Sequence, residues 1–530
     1  MAKAFPMPPP YKGENDRVPL AELESPYAEI SENFALDNGV AVLRRGTDLF
    51  CTGTGTNNDA GLGMAKYGST KLFRYWQNLF SAPFTIQDIT SGTASTVQTV
   101  NGAQVTVTAS LFYNKFLYIF GNGALDPADH GPQYYDGSSW GSISWTWPSS
   151  FIPLGGCAHK RRAYIIGYQS ATYVYTDIDV AGSGTVTPTL VDLSDQLSIK
   201  ANLLGICSLA LSEGIEQDNV AAFVFDSGEV LVYHGSYPDG SNWGLAGRFF
   251  IPRPFTYSSF CPARGDVFVV TEGGPISLRS LFQQGSEIAT NQGIASLILN
   301  RWQYIYANGG LSNFGTPTMV YDQLKDRLIV AFANWVARPI GTNPTVPTSS
   351  YFFLIYSFRG GSWFEYYGSM KPNSGGVPTL QCVTAQYFGN TVYFLGSRQA
   401  PVFSLETRSD YQDKELGGTF FSYGYRIRSA PINSPKFGAN QITGIEAIMQ
   451  SDLYANSGFF LIGDLGRVTT NGQFVEDQGS SILKPMANVG LSDISYAQID
   501  LHGTTTSSKT VGLTLNGFNV WYEAGAQGTR

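Results

Sequence analysis

The stretch Tyr134-Tyr135-Asp136-Gly137-Ser138-Ser139-Trp140 is echoed twice further along. It returns as Tyr237-Pro238-Asp239-Gly240-Ser241-Asn242-Trp243 and as Ser357-Phe358-Arg359-Gly360-Gly361-Ser362-Trp363. Each reads as a tight glycine turn, then a serine or its neighbour, then a tryptophan re-entering a core. The tryptophans lie roughly 100 and roughly 120 residues apart, about twice the ~40–50-residue period of a propeller blade. A degenerate β-repeat therefore organises this chain, and it points to a scaffold and away from a catalytic motif.

Between these turns the sequence keeps a rhythm from about 67 to 410: a polar turn, an apolar strand, a break, a second strand. Phe116-Leu117-Tyr118-Ile119-Phe120, Ala163-Tyr164-Ile165-Ile166, Val220-Ala221-Ala222-Phe223-Val224-Phe225, Val267-Phe268-Val269-Val270 and Leu328-Ile329-Val330-Ala331-Phe332 are examples. Short, near-continuous apolar strands fit sheets covered on both faces. Stacked blades supply that cover, and a closed ring leaves only short edges. The expected fold is all-β: a β-propeller of about seven blades, within a range of six to eight, over 61–410. An extended N-terminal arm and hairpin is expected over 1–60, with an Asp37-Asn38-Gly39 turn. Over 411–530, alternating segments such as Tyr496-Ala497-Gln498-Ile499-Asp500-Leu501 suggest an antiparallel β-sandwich-like domain. Helix signal is scarce, limited to stretches such as Ser277-Leu278-Arg279-Ser280-Leu281-Phe282.

Composition agrees. Charged residues are 14% of the 530, against ~25% in an ordinary soluble domain. Aromatics are also 14%, which describes an extensively buried, sheet-rich protein and not a disordered one. A formal net charge of −8 argues against a free-standing nucleic-acid binder, which needs a basic face. It leaves open a conduit through which nucleic acid slides. The N-terminus carries no apolar core of a signal peptide, and no run reaches the ~18 apolar residues of a membrane helix.

The search for chemistry finds no constellation, so no catalytic, cofactor-binding or metal residue is assigned. Cys51, Cys157, Cys207, Cys261 and Cys382 read as buried free thiols of a reducing compartment. His130, His159, His234 and His502 stand apart, with no HExxH or CxxC nearby. Thr52-Gly53-Thr54-Gly55-Thr56 lacks the lysine and helix of a phosphate cradle. Glu213 to Asp218 and Asp177-Ile178-Asp179 read as solvated acidic loops. The Asp239-Gly240-Ser241-Asn242-Trp243 turn loosely resembles the Asp-box hairpin of sialidase-like propellers, where that box is structural. Ile251-Pro252-Arg253-Pro254 is a poor match to such a family's arginine cluster, and no nucleophile or acid–base pair accompanies it.

One resemblance carries an expectation of function. Glu32-Asn33-Phe34, then Asp37-Asn38-Gly39, then Leu43-Arg44-Arg45-Gly46 resembles the opening segment of tail proteins of tailed bacteriophages, ahead of a propeller. Val232-Tyr233-His234-Gly235-Ser236 and Ile355 to Trp363 look like blade strands of that group. The likeness is to the tail nozzle, or packaged-DNA stabilisation-like tail hub, of short-tailed phages. It implies a non-enzymatic virion protein, assembled in the host bacterial cytoplasm. It also implies a homohexameric ring below the portal and head-to-tail adaptor, adjoining tail fibre or needle and plug proteins. DNA would pass through the ring without sequence-specific binding, and no cofactor is implied. The rival readings are a receptor- or glycan-binding tail propeller, a glycosidase, and an ordinary interaction module.

Overall fold

A computed structural model describes residues 3–523 apart from 19–21, 25, 38, 55–58, 79–80, 101–104, 124–131, 181, 183, 211–218, 258, 287–292, 308–316, 333–349, 370–381, 398, 409–411, 415–419, 434–440, 451–456, 463–467, 474–495 and 506–512. His130, Gly55 and the acidic run Glu213 to Asp218 lie outside the described residues.

Seven antiparallel sheets follow one another along the chain, each ordered from an innermost first strand outward. Blade 1 holds Asp59–Tyr67, Lys71–Asn78, Ser81–Asp88 and Ser95–Val100; blade 2 holds Val105–Tyr113, Phe116–Gly123, Gln133–Tyr135 and Trp140–Ser142. Blade 3 is Pro153–His159, Arg162–Gly167, Thr172–Tyr175 and Thr189–Asp192, and blade 4 is Leu203–Ala210, Asn219–Phe225, Glu229–His234 and Gly244–Phe250. Blade 5 has three strands, Phe260–Ala263, Asp266–Thr271 and Gly274–Ser277. Blade 6 comprises Thr318–Asp322, Arg327–Phe332, Ser350–Ser357 and Ser362–Ser369. Blade 7 comprises Cys382–Phe388, Thr391–Gly396 and Val402–Ser404, and its outermost strand comes from the other end of the chain, Asp48–Cys51. That strand closes the ring: Cys51 pairs with Val402 and Asp48 with Ser404.

The core is not central but lies between blades. One cluster joins Phe73, Ile86, Leu117 and Ile119 of blades 1 and 2. Others join Tyr118 to Ile165, Tyr164 to Phe223, and Val232 to Val269 across the next three interfaces. Each blade is thus apolar on both faces, which is why its strands lack alternation. Two short helices serve the same interfaces. In Leu278–Gln284, capped by Ser277, whose Oγ accepts from Ser280 N, Leu278 and Leu281 pack with Val230 of blade 4 and Ile276 of blade 5. In Leu299–Ala307, Trp302 and Ile305 pack between Val270 of blade 5 and Phe352 of blade 6.

The expected N-terminal arm and hairpin over 1–60 contains the hairpin, Phe34–Asp37 with Val40–Leu43, and its strands are built into larger sheets. Ala28–Glu32 joins blade 6, pairing in parallel through Glu32 and Glu365, and then pairs antiparallel with Gly424–Ser429. The blade 6 sheet continues through Tyr496–Thr504 and Ser457–Ile462 to Val468–Gln473. A second sheet is built from Lys3–Met7, Phe34–Asp37, Val40–Leu43, Thr514–Glu523 and Gln441–Gln450. Phe34, Leu36, Leu43, Leu515 and Val520 share one core with Tyr425, Ile427, Ile499 and Leu501 of the extended sheet. Both ends of the chain therefore build one β-sandwich-like unit, fused to blade 6.

Charged side chains are buried at this fusion. Arg44 donates from both terminal nitrogens to the Asp413 carboxylate at 2.9 Å, from Nε to Asn33 Oδ1 at 2.8 Å, and to the Tyr367 carbonyl at 2.9 Å. Its guanidinium lies 3.6 Å from the Tyr423 ring centre. Asn33 holds a left-handed φ of 61°, and its Oδ1 also accepts from Tyr367 N. Nearby, Arg301 pairs with Glu365 at 2.7 Å, and Arg426 and Arg428 both bind Asp500.

The three repeat tryptophans lie at the starts of the outermost strands of blades 2, 4 and 6: Trp140 is the first residue of its strand, Trp243 directly precedes its own and Trp363 is the second residue. Each sits against a tyrosine of the strand before it: Trp140 on Tyr135 at 5.2 Å, Trp243 on Tyr233 at 5.1 Å and Trp363 on Tyr356 at 5.1 Å. Trp363 is fully buried, whereas Trp140 and Trp243 are half-buried. Tryptophans re-entering the core are expected to be largely buried, and Trp140 and Trp243 fall short of that; Trp363 is sealed because its indole N–H donates to the Ile294 carbonyl at 2.6 Å and its strand is paired further by Ala28–Glu32.

Two outcomes are expected. Trp363→Ala should cost about 3–5 kcal/mol, and Trp140→Ala and Trp243→Ala clearly less; urea unfolding of the three variants measures the difference. Asp413→Ala leaves a buried guanidinium without its carboxylate and should cost about 3–5 kcal/mol, read by the same titration.

Candidate functional site: the axial passage

The seven innermost strands surround an axis, and many of their side chains there are small, with Met64, Leu204, Phe260 and Met319 among the larger ones. Ala109, Ser110, Gly155, Ala158, Ser208 and Ala263 line a lower cavity of about 740 Å³. Gly63, Thr384 and Ala385 help line an upper one of about 620 Å³. The two meet at Ala109, Ser110, Leu204, Tyr257 and Phe260.

A β-bulge recurs near the start of these strands. The register slips between Gly61 and Gly63, Val105 and Val107, Pro153 and Gly155, Leu203 and Gly205, and Cys382 and Thr384. A bulge adds local twist, which turns the strand as it passes the axis. In blades 1, 3 and 4 the extra residue is a leucine followed by glycine: Leu62-Gly63, Leu154-Gly155 and Leu204-Gly205. A Cβ on Gly155 would lie 2.8 Å from that of Ala109, and one on Gly205 would lie 2.5 Å from the Phe260 ring. Glycine is needed there because adjacent blades approach closely at the axis. This repeated Leu-Gly pair is a signal that the sequence reading missed.

The last residue of the innermost strand reaches forward into the next blade. The Tyr67 hydroxyl donates to the Asp136 carbonyl of blade 2, and the Tyr113 hydroxyl to the Arg161 carbonyl of blade 3. His159 occupies the same place in blade 3. Its Nε2–H donates to the Gly235 carbonyl at 3.2 Å, so its Nδ1 accepts from Ser208 Oγ at 2.9 Å. Burial pushes the imidazole down to about 4. His159 is thus a latch between blades 3 and 4.

The other residues that stood out in the sequence have structural roles. Asp136 accepts from Ser138 N and Ser139 N at 2.7 Å each, bonds that hold its carboxyl down at about 2. This is a side-chain-closed turn. Asp239 accepts from the Tyr175 hydroxyl. Asp177 and Asp179 pair with Arg162 and Arg161. Thr54 N donates to the Gln399 carbonyl, and the Thr52 carbonyl accepts from Arg74. His234 ends its strand exposed, and burial lowers the pKa of His502. Cys157, Cys261 and Cys382 are each pushed up to about 12 by burial, and Cys51 and Cys207 are also raised, so the thiols stay protonated at neutral pH. Among the described residues no group of three or more His, Cys, Asp or Glu could hold a metal, and no helix is long and apolar enough to cross a membrane.

Among the described residues, one carboxylate lines each cavity: Asp226 the upper and Asp266 the lower. Asp266 is committed to Val267 N, Arg279 N and the Ser277 hydroxyl. Arg253 is the one arginine among the residues lining the upper cavity.

No family model and no curated protein sequence matches the chain. Solved propellers are similar in shape. YCF48 from Cyanidioschyzon merolae is 10% identical, with 66% of this chain and 96% of that one covered and a TM-score of 0.36. The Cps50 (Swd1) β-propeller domain of Myceliophteria thermophila is 7% identical, with 70% and 99% covered and a TM-score of 0.37. An exo-beta-1,3-galactanase from Phanerochaete chrysosporium is 8% identical, with 79% and 96% covered and a TM-score of 0.26. Likeness at this level says nothing of function.

The His159 latch predicts a pH dependence. Its folded pKa is depressed, so the folded state resists protonation. Stability is fully present above about 6.5 and falls as pH drops from there toward about 4, by up to about 3 kcal/mol. His159→Gln should flatten that limb, as measured by urea midpoints between pH 7 and 4.

Proposed function

We propose that this chain is a structural tail-nozzle or tail-hub protein of a short-tailed bacteriophage. In this reading it acts as a non-enzymatic homohexameric ring that continues the DNA path below the portal and adaptor. The observation that supports it most is the spatial meeting of the residues on which the resemblance rests. Asn33 of Glu32-Asn33-Phe34 and Arg44 of Leu43-Arg44-Arg45-Gly46 bind each other at 2.8 Å. At Gly46, a Cβ would lie 1.9 Å from the Gln412 carbonyl oxygen, so this position too is constrained. The motif is the joint between propeller and sandwich, which gives its residue types a physical reason.

Two further points support the reading. The axial cavities are of small-molecule size, so DNA would run between copies, through the ring, and not along one propeller's axis. A glycoside hydrolase needs two carboxyls flanking one bond, and each cavity is lined by a single carboxylate among the described residues. With −8 per chain, the ring would hold DNA off its wall, leaving retention to a constriction or a plugging partner.

Mass photometry and negative-stain imaging test this, on the purified chain alone and mixed with a short-tailed phage portal–adaptor complex. A closed ring, most simply of six copies, is expected. A species that stays at the 57.6 kDa of one chain in both samples would sink the proposal.

A further inference from the structure

The upper cavity carries a set of polar groups that the fold itself does not use up. Arg253 stands between Pro252 and Pro254, which restrict the backbone on either side of it. Its carbonyl accepts from Glu272 N at 2.9 Å, and its Nε donates to the Asp226 carbonyl at 3.1 Å. The guanidinium is therefore anchored at one nitrogen, and its two terminal nitrogens have no partner among the described residues. Beside it, Asp226 is aimed by Asn202, which donates to its two carboxylate oxygens from N at 2.9 Å and Nδ2 at 2.8 Å. Tyr257 adds a half-buried aromatic wall. Across the cavity, the side chains of Thr384 and Gln386 line it without a hydrogen-bond partner among the described residues.

We propose that this cavity binds a neutral saccharide. A carboxylate aimed by Asn202, beside an exposed guanidinium held at Nε, matches neighbouring hydroxyls, each of which can donate to one and accept from the other. Tyr257 offers a ring face for the apolar side of a sugar. An anionic ligand fits worse, because the one arginine lining the cavity shares it with the Asp226 carboxylate. The cavity, about 620 Å³, lies within the usual range of ligand pockets. The inference is independent of ring formation, since the named residues all belong to one chain.

The test is a glycan array probed with the full chain, followed by titration calorimetry on the hits. The array carries neutral gluco-, galacto- and N-acetylglucosamine oligosaccharides, with sialylated and uronic-acid glycans as acidic controls. At least one neutral saccharide should bind. Its affinity should fall at least tenfold in Arg253→Lys, which keeps the charge but loses the fork, and in Thr384→Val with Gln386→Leu. Melting temperatures of the variants should match that of the parent, and any variant that melts lower is replaced by Tyr257→Leu. Binding of acidic glycans alone, binding unmoved by these substitutions, or no binding to any neutral saccharide would overturn the assignment.

Discussion

The structure turns on one buried cation. Arg44 is 1% exposed in a chain that spends charge sparingly, and removing an ion from water costs several kcal/mol unless every donor is met. Here the donors are met by groups from distant parts of the chain: Asn33 and Asp413 by side chain, Tyr367 by its carbonyl, and Tyr423 by its ring face. These belong to the first sandwich strands, the outermost strand of blade 6 and the segments after blade 7. A packed leucine could fill the volume but would accept any neighbour of similar shape. A guanidinium with a fixed fork accepts one arrangement, so the contact sets the register in which propeller and sandwich join. Asn33 serves this by taking a left-handed conformation that asparagine tolerates better than most residues.

From that joint outward, the propeller holds together by neighbour contacts. No single blade buries its own apolar surface; each is completed by the next, and the polar latches at Tyr67, Tyr113 and His159 all point forward around the ring. Among the described residues blade 5 has three strands, and the helices after it cover apolar surface toward blades 4 and 6. Low charge in the sequence is explained by the same plan, because both faces of many inner blade strands are interior, as in Arg162–Gly167 and Asn219–Phe225. Several of the charges that remain are concentrated where sheets change partners.

Much of this could be read from residues alone, and the reason is local. Trp140, Trp243 and Trp363 mark the same place in every second blade because a turn and the tyrosine before it make a motif within one sheet. The apolar runs announced strands because stacking leaves them no polar face. The role of the N-terminal segment was not legible. Asp48–Cys51 pairs with Val402–Ser404 some 350 residues away, and Glu32 meets Glu365; nothing in a short window encodes such partners. The cavity groups were hidden for the same reason. Arg253 looked like a failed arginine cluster in isolation, and its meaning depends on Asp226 and Asn202, which precede it on other elements. The Leu-Gly bulges were visible as a repeat but too short to stand out among 59 glycines.

The closing strand of blade 7 has a consequence for biosynthesis. Residues 48–51 leave the ribosome long before Val402, so they wait through the making of all seven blades without the edge they pair with. Lys3–Met7 and the outer edge of the Phe34–Asp37/Val40–Leu43 hairpin wait longer, for Thr514–Glu523. Early blades can stack as they emerge, because each needs mainly its predecessor. The nascent chain therefore carries N-terminal strands with unfilled edges until Thr514–Glu523 appears, open edges of the kind that invite pairing with other chains. Slow, concentration-sensitive maturation follows from this topology, and with it a dependence on whatever shields that edge during synthesis.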